Sequence, residues 1–340
     1  MQVIVRGPVP VPGPEDIVVD HAAAVAFLAS QQRRSATGKL LGPADMPGGA
    51  IFALDLASEL LTKRLLIDQE ALGFPFHPRG CSLFSGPDGQ RRLMVISDRG
   101  ATEHVVEVFD VAGTAYESVA LQHVRSISDP RHLISPNDLV ALDSNRFYVT
   151  NDHGARQAFW QTLETGIGLP WSTVVFWDGS RFHTVAKDIE FANGIALDHA
   201  RKQLYVAATR SKRLYRYPWD PADPAKALTN RDPIGLPGCP DNLEWDADGK
   251  LWIGADPSFL RLSIYTLGLT PTAPSLILRL DFEAGTEPRV EEVWHDATGE
   301  MISASSVAAV SGKGPLRRLL IGQPFGNHLL DCELRDATSG

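Results

Sequence analysis

The sequence predicts an all-β fold, a six-bladed β-propeller with cation sites along its centre, and two observations carry that prediction. The first is a repeat. Six short segments place two polar or small residues ahead of an apolar residue that opens a strand-like run: Glu15-Asp16-Ile17, Arg79-Gly80-Cys81, Asn137-Asp138-Leu139, Asn193-Gly194-Ile195, Asp241-Asn242-Leu243 and Ser305-Ser306-Val307. Their starts lie 48 to 64 residues apart, and a second β-like run follows each start by 10 to 14 residues. One supersecondary unit of several short strands per period of about 50 residues has the size of a propeller blade. The second observation is the chemistry of the repeated positions. A propeller brings the innermost strand of every blade to one channel, where the triplets would pool carboxylate and amide oxygens with a single guanidinium, that of Arg79. Hard oxygen donors, several of them anionic, select Ca²⁺. No thiolate or paired imidazole stands at the first two triplet positions, which disfavours zinc, copper and iron.

Taken in order, Gln2–Arg6 is a β-like run expected to pair with Leu329–Leu334 and so close the last blade without an open edge. The second runs are Val25–Phe27, Leu93–Ile96, Phe147–Thr150, Leu204–Ala207, Leu251–Gly254 and Leu319–Gly322. Alternating runs such as Val105–Phe109 and Arg213–Tyr217, with turn signals such as Pro87-Asp88-Gly89, supply further strands. Three stretches break the rhythm. Arg33–Gly49 reads as a long loop, Gly154–Pro170 carries a weak helical period through Phe159, Trp160, Leu163 and Ile167, and Pro218–Pro237 reads as a surface excursion. None has the composition of a linker, so residues 1–340 are expected to form one domain.

Composition narrows the function classes. The chain is 44% hydrophobic and 21% charged, with a formal net charge of −9. That acidity argues against nucleic acid or an anionic membrane as partner. No stretch approaches the roughly 18 apolar residues of a membrane span, and the N-terminus does not read as a signal peptide. Cys81, Cys239 and Cys332 are odd in number and far apart, which predicts buried thiols in a reducing, cytoplasmic setting. The nucleophile elbow, the zinc-protease helix and the phosphate-binding loop are all missing from the sequence.

Ser135–Leu142 followed by Phe147–His153, Phe191–Ile195, Pro240–Leu243 with Leu251–Gly254, Gly13–Asp16 and the ending Leu319–Leu334 together resemble the paraoxonase/arylesterase family, six-bladed calcium propellers related to gluconolactonase-type and strictosidine synthase-like propellers. The resemblance spans nearly the whole chain. It implies two calcium ions. Glu15, Asn137, Asn193, Asp241 and Asn242 match the ligands of the catalytic ion. Asp16 and Asp138 match side-chain ligands of a structural ion, with Cys81 where that site takes a backbone carbonyl. It also implies hydrolysis of a small-molecule lactone or aryl ester.

The sequence departs from the family at the proposed histidine dyad. Arg79 stands where the lactonases carry a histidine, the second histidine falls near Asp98-Arg99, and Asp256 stands where a further histidine is sometimes found. Arginine cannot act as a base. Arg79 is read either as a holder of an anionic substrate group or developing oxyanion, or as an ion-pair partner of Glu15 or Asp16. Asp241 is the leading candidate for base or nucleophile and His153 the second, with Phe159, Trp160 and Trp171 expected to wall the substrate pocket. Two alternatives remain at this level: a sugar-acid lactonase in which Arg79 meets a polar substrate, and a noncatalytic calcium-stabilised binding propeller.

Overall fold

The computed structural model describes residues 1–35, 37–42, 45–57, 61–67, 72–100, 103–282, 287–312 and 317–335. The strands are β1 (Gln2–Pro10), β2 (Pro14–Asp20), β3 (Val25–Ser30), β4 (Ala50–Asp55), β5 (Thr62–Arg64), β6 (Pro78–Ser85), β7 (Arg91–Asp98), β8 (His104–Ala112), β9 (Ala120–Ile127), β10 (Pro136–Ala141), β11 (Phe147–Asn151) and β12 (Ser172–Trp177). They continue as β13 (Phe182–Ile189), β14 (Ala192–Asp198), β15 (Gln203–Ala208), β16 (Arg213–Pro218), β17 (Asp232–Gly235), β18 (Cys239–Trp245), β19 (Leu251–Asp256), β20 (Ser275–Asp281), β21 (Arg289–Asp296), β22 (Val307–Ser311), β23 (Arg317–Gly322) and β24 (His328–Arg335). Among the described residues two α-helices are inserted, α1 (Ala158–Ile167) and α2 (Phe259–Thr266). The strands form six four-stranded sheets, the blades of a β-propeller.

Two compact units divide the blades. One holds β2–β5, β18–β21 and the sheet β1-β24-β23-β22; the other holds β6–β9, β10–β13 and β14–β17. Within each unit neighbouring sheets pack through apolar side chains. In the second, Tyr148, Val174 and Phe176 meet Ile195, Leu204, Val206 and Tyr215 in one buried cluster. In the first, Ile17, Ala26 and Leu28 meet Val307, Ala309 and Leu320. Each such aliphatic or aromatic side chain contributes about 1.5–3 kcal/mol when fully buried.

β1 pairs antiparallel with β24, with a register break between Val5 and Gly7. Its Val3 and Val5 pack on the cluster around Trp252, Leu319, Ile321, Cys332 and Leu334. All three cysteines are buried thiols. Burial, helped by the Asp331 charge, pushes the Cys332 thiol up to about 12, so it is inert at neutral pH. No described helix is long and apolar enough to cross a membrane.

Gly254 shows how tightly the inner elements approach. A Cβ there would lie 2.4 Å from the Ser306 carbonyl carbon and the Val307 nitrogen. β19 passes β22 with no room for a side chain at that point.

Candidate active site

Four of the repeated triplets occupy equivalent strand irregularities. The register between inner and second strand breaks between Pro14 and Asp16, Pro78 and Cys81, Pro136 and Leu139, and Ala192 and Ile195. Glu15, Arg79-Gly80, Asn137-Asp138 and Asn193-Gly194 therefore sit in equivalent irregularities, where the backbone bends and re-aims its side chains.

In the first unit, β2, β18 and β22 converge on the Glu15 carbonyl. It accepts from Ser306 Oγ at 2.6 Å and from Asn242 Nδ2 at 3.2 Å. Asn242 N donates to Ser306 O at 2.9 Å, and Gln323 N to Pro14 O at 2.8 Å. The Glu15 carboxylate itself accepts from Arg33 Nη2, while Arg33 Nη1 reaches Pro324 O at 3.2 Å. Asp16 is 2% exposed and takes its own neighbour's amide, Ile17 N, at 2.9 Å. Asp241 is half-buried on β18, immediately before Asn242.

In the second unit, β6, β10 and β14 lie side by side. Asp138, 4% exposed, accepts from Leu139 N at 2.7 Å and from Ile195 N of the next blade at 2.9 Å. Two backbone donors and deep burial make it an anionic stitch between sheets. Thr150 Oγ1 donates to Asn193 O at 2.6 Å. Asn193 Nδ2 donates to Thr209 Oγ1 at 3.2 Å, and that hydroxyl passes its proton to Pro240 O at 2.6 Å. Asn137 Nδ2 donates to Asp152 Oδ2 at 3.1 Å.

One feature of these networks bears directly on metal binding. Among the described residues, three buried acceptor oxygens of carboxylates or amides have no hydrogen-bond partner: Asn193 Oδ1, Asn242 Oδ1 and Asp256 Oδ1. Their amide orientations are fixed, since Asn242 Nδ2 faces a carbonyl and Asn193 Nδ2 faces a hydroxyl that is already donating elsewhere. An orphaned buried oxygen costs about 1–3 kcal/mol, and each asparagine holds its NH₂ in the fold and its oxygen clear of it, an arrangement that a cation donor would need.

The departures from the dyad pattern also resolve. Arg79 Nε donates to Asp98 Oδ2 at 2.7 Å, and Asp98 Oδ1 takes His104 Nδ1 at 2.6 Å. This pairing lies within its own sheet, and the Glu15 carboxylate takes Arg33. Burial works to raise the Asp98 carboxyl, but the Arg79 charge and the His104 contact prevail and hold it at about 2. The Arg79 charge also reaches Asp152 and His153.

His153 is engaged at both ring nitrogens: Nδ1 on Asp152 Oδ1 at 2.7 Å and Nε2 on Thr165 Oγ1 of α1 at 2.8 Å. Burial lowers its pKa, the bond to and charge of Asp152 raise it, and the net shift is upward. Asp152 further accepts from Ser135 Oγ at 2.5 Å. His153 thus ties α1 to the end of β11. α1 turns Glu164 inward, 2% exposed, where it accepts from Gly154 N at 3.0 Å. Its apolar side points out: Phe159 is 72% exposed, with Trp160, Ile167 and the following Trp171 also exposed. The helical period of this stretch is correct, and its aromatic side chains lie exposed.

Comparison with known proteins follows the same line. The arylesterase family profile matches residues 37–334. Human serum paraoxonase/arylesterase 1 is 32% identical over 266 residues, 76% of this chain and 69% of that protein. The chain belongs to the arylesterase family. Rat serum paraoxonase/arylesterase 2 is 30% identical over 296 residues, covering 85% of this chain and 78% of its own. Among solved structures, a luciferin-regenerating enzyme superposes with a TM-score of 0.58 at 13% identity, covering 98% of this chain and 95% of its own. A calcium-binding regucalcin from Agrobacterium tumefaciens gives 0.57 at 14% identity, covering 97% and 94%. These two likenesses establish the arylesterase-family chain as a propeller and say nothing further about its chemistry.

Proposed function

We propose that this arylesterase-family protein is a calcium-dependent hydrolase of lactones and aryl esters, with Asn193 and Asn242 among the calcium donors. The observation that carries the reading is the pair of buried, unpartnered Oδ1 atoms on inner strands. Glu15, Asn137 and Asp241 hold the first triplet positions of β2, β10 and β18 and add oxygen donors, two of them carboxylates. Asp16, Asp138 and the Cys81 carbonyl are assigned to a second, structural ion. Calcium, when bound, supplies polarisation of the substrate carbonyl. Arg79, oriented by Asp98, offers planar N–H donors for negative charge that develops on the substrate or for a polar group it carries. Asp152 keeps the Asn137 amide turned so that its NH₂ stays in the fold.

The test is calcium titration by calorimetry on the chelated protein. Binding of two ions, with Asn242→Ala and Asn193→Ala each weakening one of them at least tenfold, is the expected result. Unchanged affinity in both variants removes these residues from the donor set.

A further inference from the structure

Of the three orphaned buried carboxylate and amide oxygens among the described residues, two belong to the asparagines just assigned. The third is Asp256 Oδ1, on a side chain 3% exposed at the end of β19. β19 is the hydrogen-bonded neighbour of β18, the strand that carries Asp241 and Asn242. A buried carboxyl without a partner is expensive to keep and is rare in the absence of a use for it. Among the described residues no cation pairs with it and no hydroxyl or amide donates to Oδ1.

We infer that Asp256 is the proton acceptor of the hydrolysis, the group that takes a proton from the attacking water. This rests on the hydrolase reading above and assigns the base that the missing histidines leave open. Asp241 is the less suitable base, because a carboxylate that donates to a divalent cation has its charge already held. The balance of the step is simple. One water O–H proton passes to Asp256 Oδ1 as the water oxygen bonds to the carbonyl carbon. The acyl C–O bond then breaks, and the same proton returns to the departing alkoxide oxygen.

The surroundings suit that role. Burial alone raises the Asp256 carboxyl well above the ordinary carboxylate range, with no opposing charge. The titratable side chain its charge reaches is Tyr265 of α2, whose phenol is itself pushed up by burial first. On the strands flanking β19 the charged side chains are Asp241 and Glu244 of β18, and Arg279 and Asp281 of β20. Arg279 is bound to Glu291 at 2.6 Å, and Asp281 is paired with Lys250. β22, packed on the other side, carries no ionisable side chain. A carboxyl raised by burial holds a proton more tightly than an exposed one, and its ionised, accepting fraction grows as pH rises.

The experiment compares the full-length protein with Asp256→Asn, Asp256→Glu and Asp256→Ala on δ-valerolactone, with saturating calcium. The asparagine variant should lose about 10²- to 10⁴-fold in kcat, with KM and calcium affinity within threefold of wild type. The rise of kcat/KM with pH on the acid side should disappear. Formate should restore part of the activity of Asp256→Ala but none in Asp241→Ala. The melting temperature of Asp256→Asn should match or exceed wild type, because a buried charge has been removed, whereas a structural role predicts a fall. Turnover within threefold of wild type in Asp256→Asn overturns the inference and leaves the hydrolase reading standing. So does a calcium affinity that falls with the activity, since that would make Asp256 a metal donor. A wild-type protein that hydrolyses no lactone or ester overturns both.

Discussion

Asp98 joins an inner-strand guanidinium to an imidazole, and the contacts with Arg79 and His104 set its acidity. A carboxyl held at about 2 in the fold against an ordinary value near 4 contributes about 2 kcal/mol at neutral pH. Because the folded value is depressed, that contribution is complete above the unfolded value and is lost as pH falls from about 4 towards 2. Asp98→Asn should therefore lower stability by about 2 kcal/mol at pH 7 and by much less near pH 2, measured by urea unfolding at each pH. A pH-independent difference would mean that packing, not charge, accounts for the loss. At this scale the candidate donors were more legible in the sequence than their supports. Asn137, Asn193, Asp241 and Asn242 were visible because each sits in a repeated pattern. Arg33 on Glu15, Asp98 on Arg79 and Asp152 on Asn137 were not, because each pairing depends on where a neighbouring strand or loop returns in space.

At the scale of elements, the strand irregularities matter as much as the strands. Four inner strands, β2, β6, β10 and β14, break register just where the polar pair lies, so those side chains are delivered by backbone bends. Close approach does the rest. A methyl group at Gly254 would meet the backbone of Ser306 and Val307 at 2.4 Å, and backbone cannot step aside as a side-chain end can. Gly254→Ala should cost about 1–3 kcal/mol, read as a lower melting temperature together with weaker calcium binding through the displaced Asn242–Ser306 contact. Unaltered stability would show that β22 yields more easily than its packing implies. Inner and second strands were legible because their apolar runs are strong. The outer strands β5 and β17 were not, being short and largely exposed, with little hydrophobic pattern to read. α1 was legible as a helical period, yet which side it buries was not. Glu164 faces inward because the Gly154 and Ala155 amides bind it there, a preference no periodicity encodes.

For the whole molecule, the repeat of about 50 residues was sufficient to count the blades, because each blade must present the same inner-strand chemistry. The strand that completes the last blade comes from the other end of the chain. Removing residues 1–10 strips Val3 and Val5 from the Trp252–Cys332 cluster and bares the edge of β24. The truncated protein should unfold at lower urea with a broadened transition and form soluble aggregates on size exclusion, as open strand edges do. A sharp transition at the wild-type midpoint would show that β1 is dispensable.

The central claim, metal-assisted hydrolysis by these blades, is tested most directly by one assay: turnover of δ-valerolactone and phenyl acetate by the purified protein with calcium, after chelation, after calcium is restored, and in Asp241→Ala. The account predicts activity that falls on chelation, returns with calcium and is lost in the variant. Calcium bound tightly with no turnover of either compound, or turnover indifferent to chelation, would contradict it.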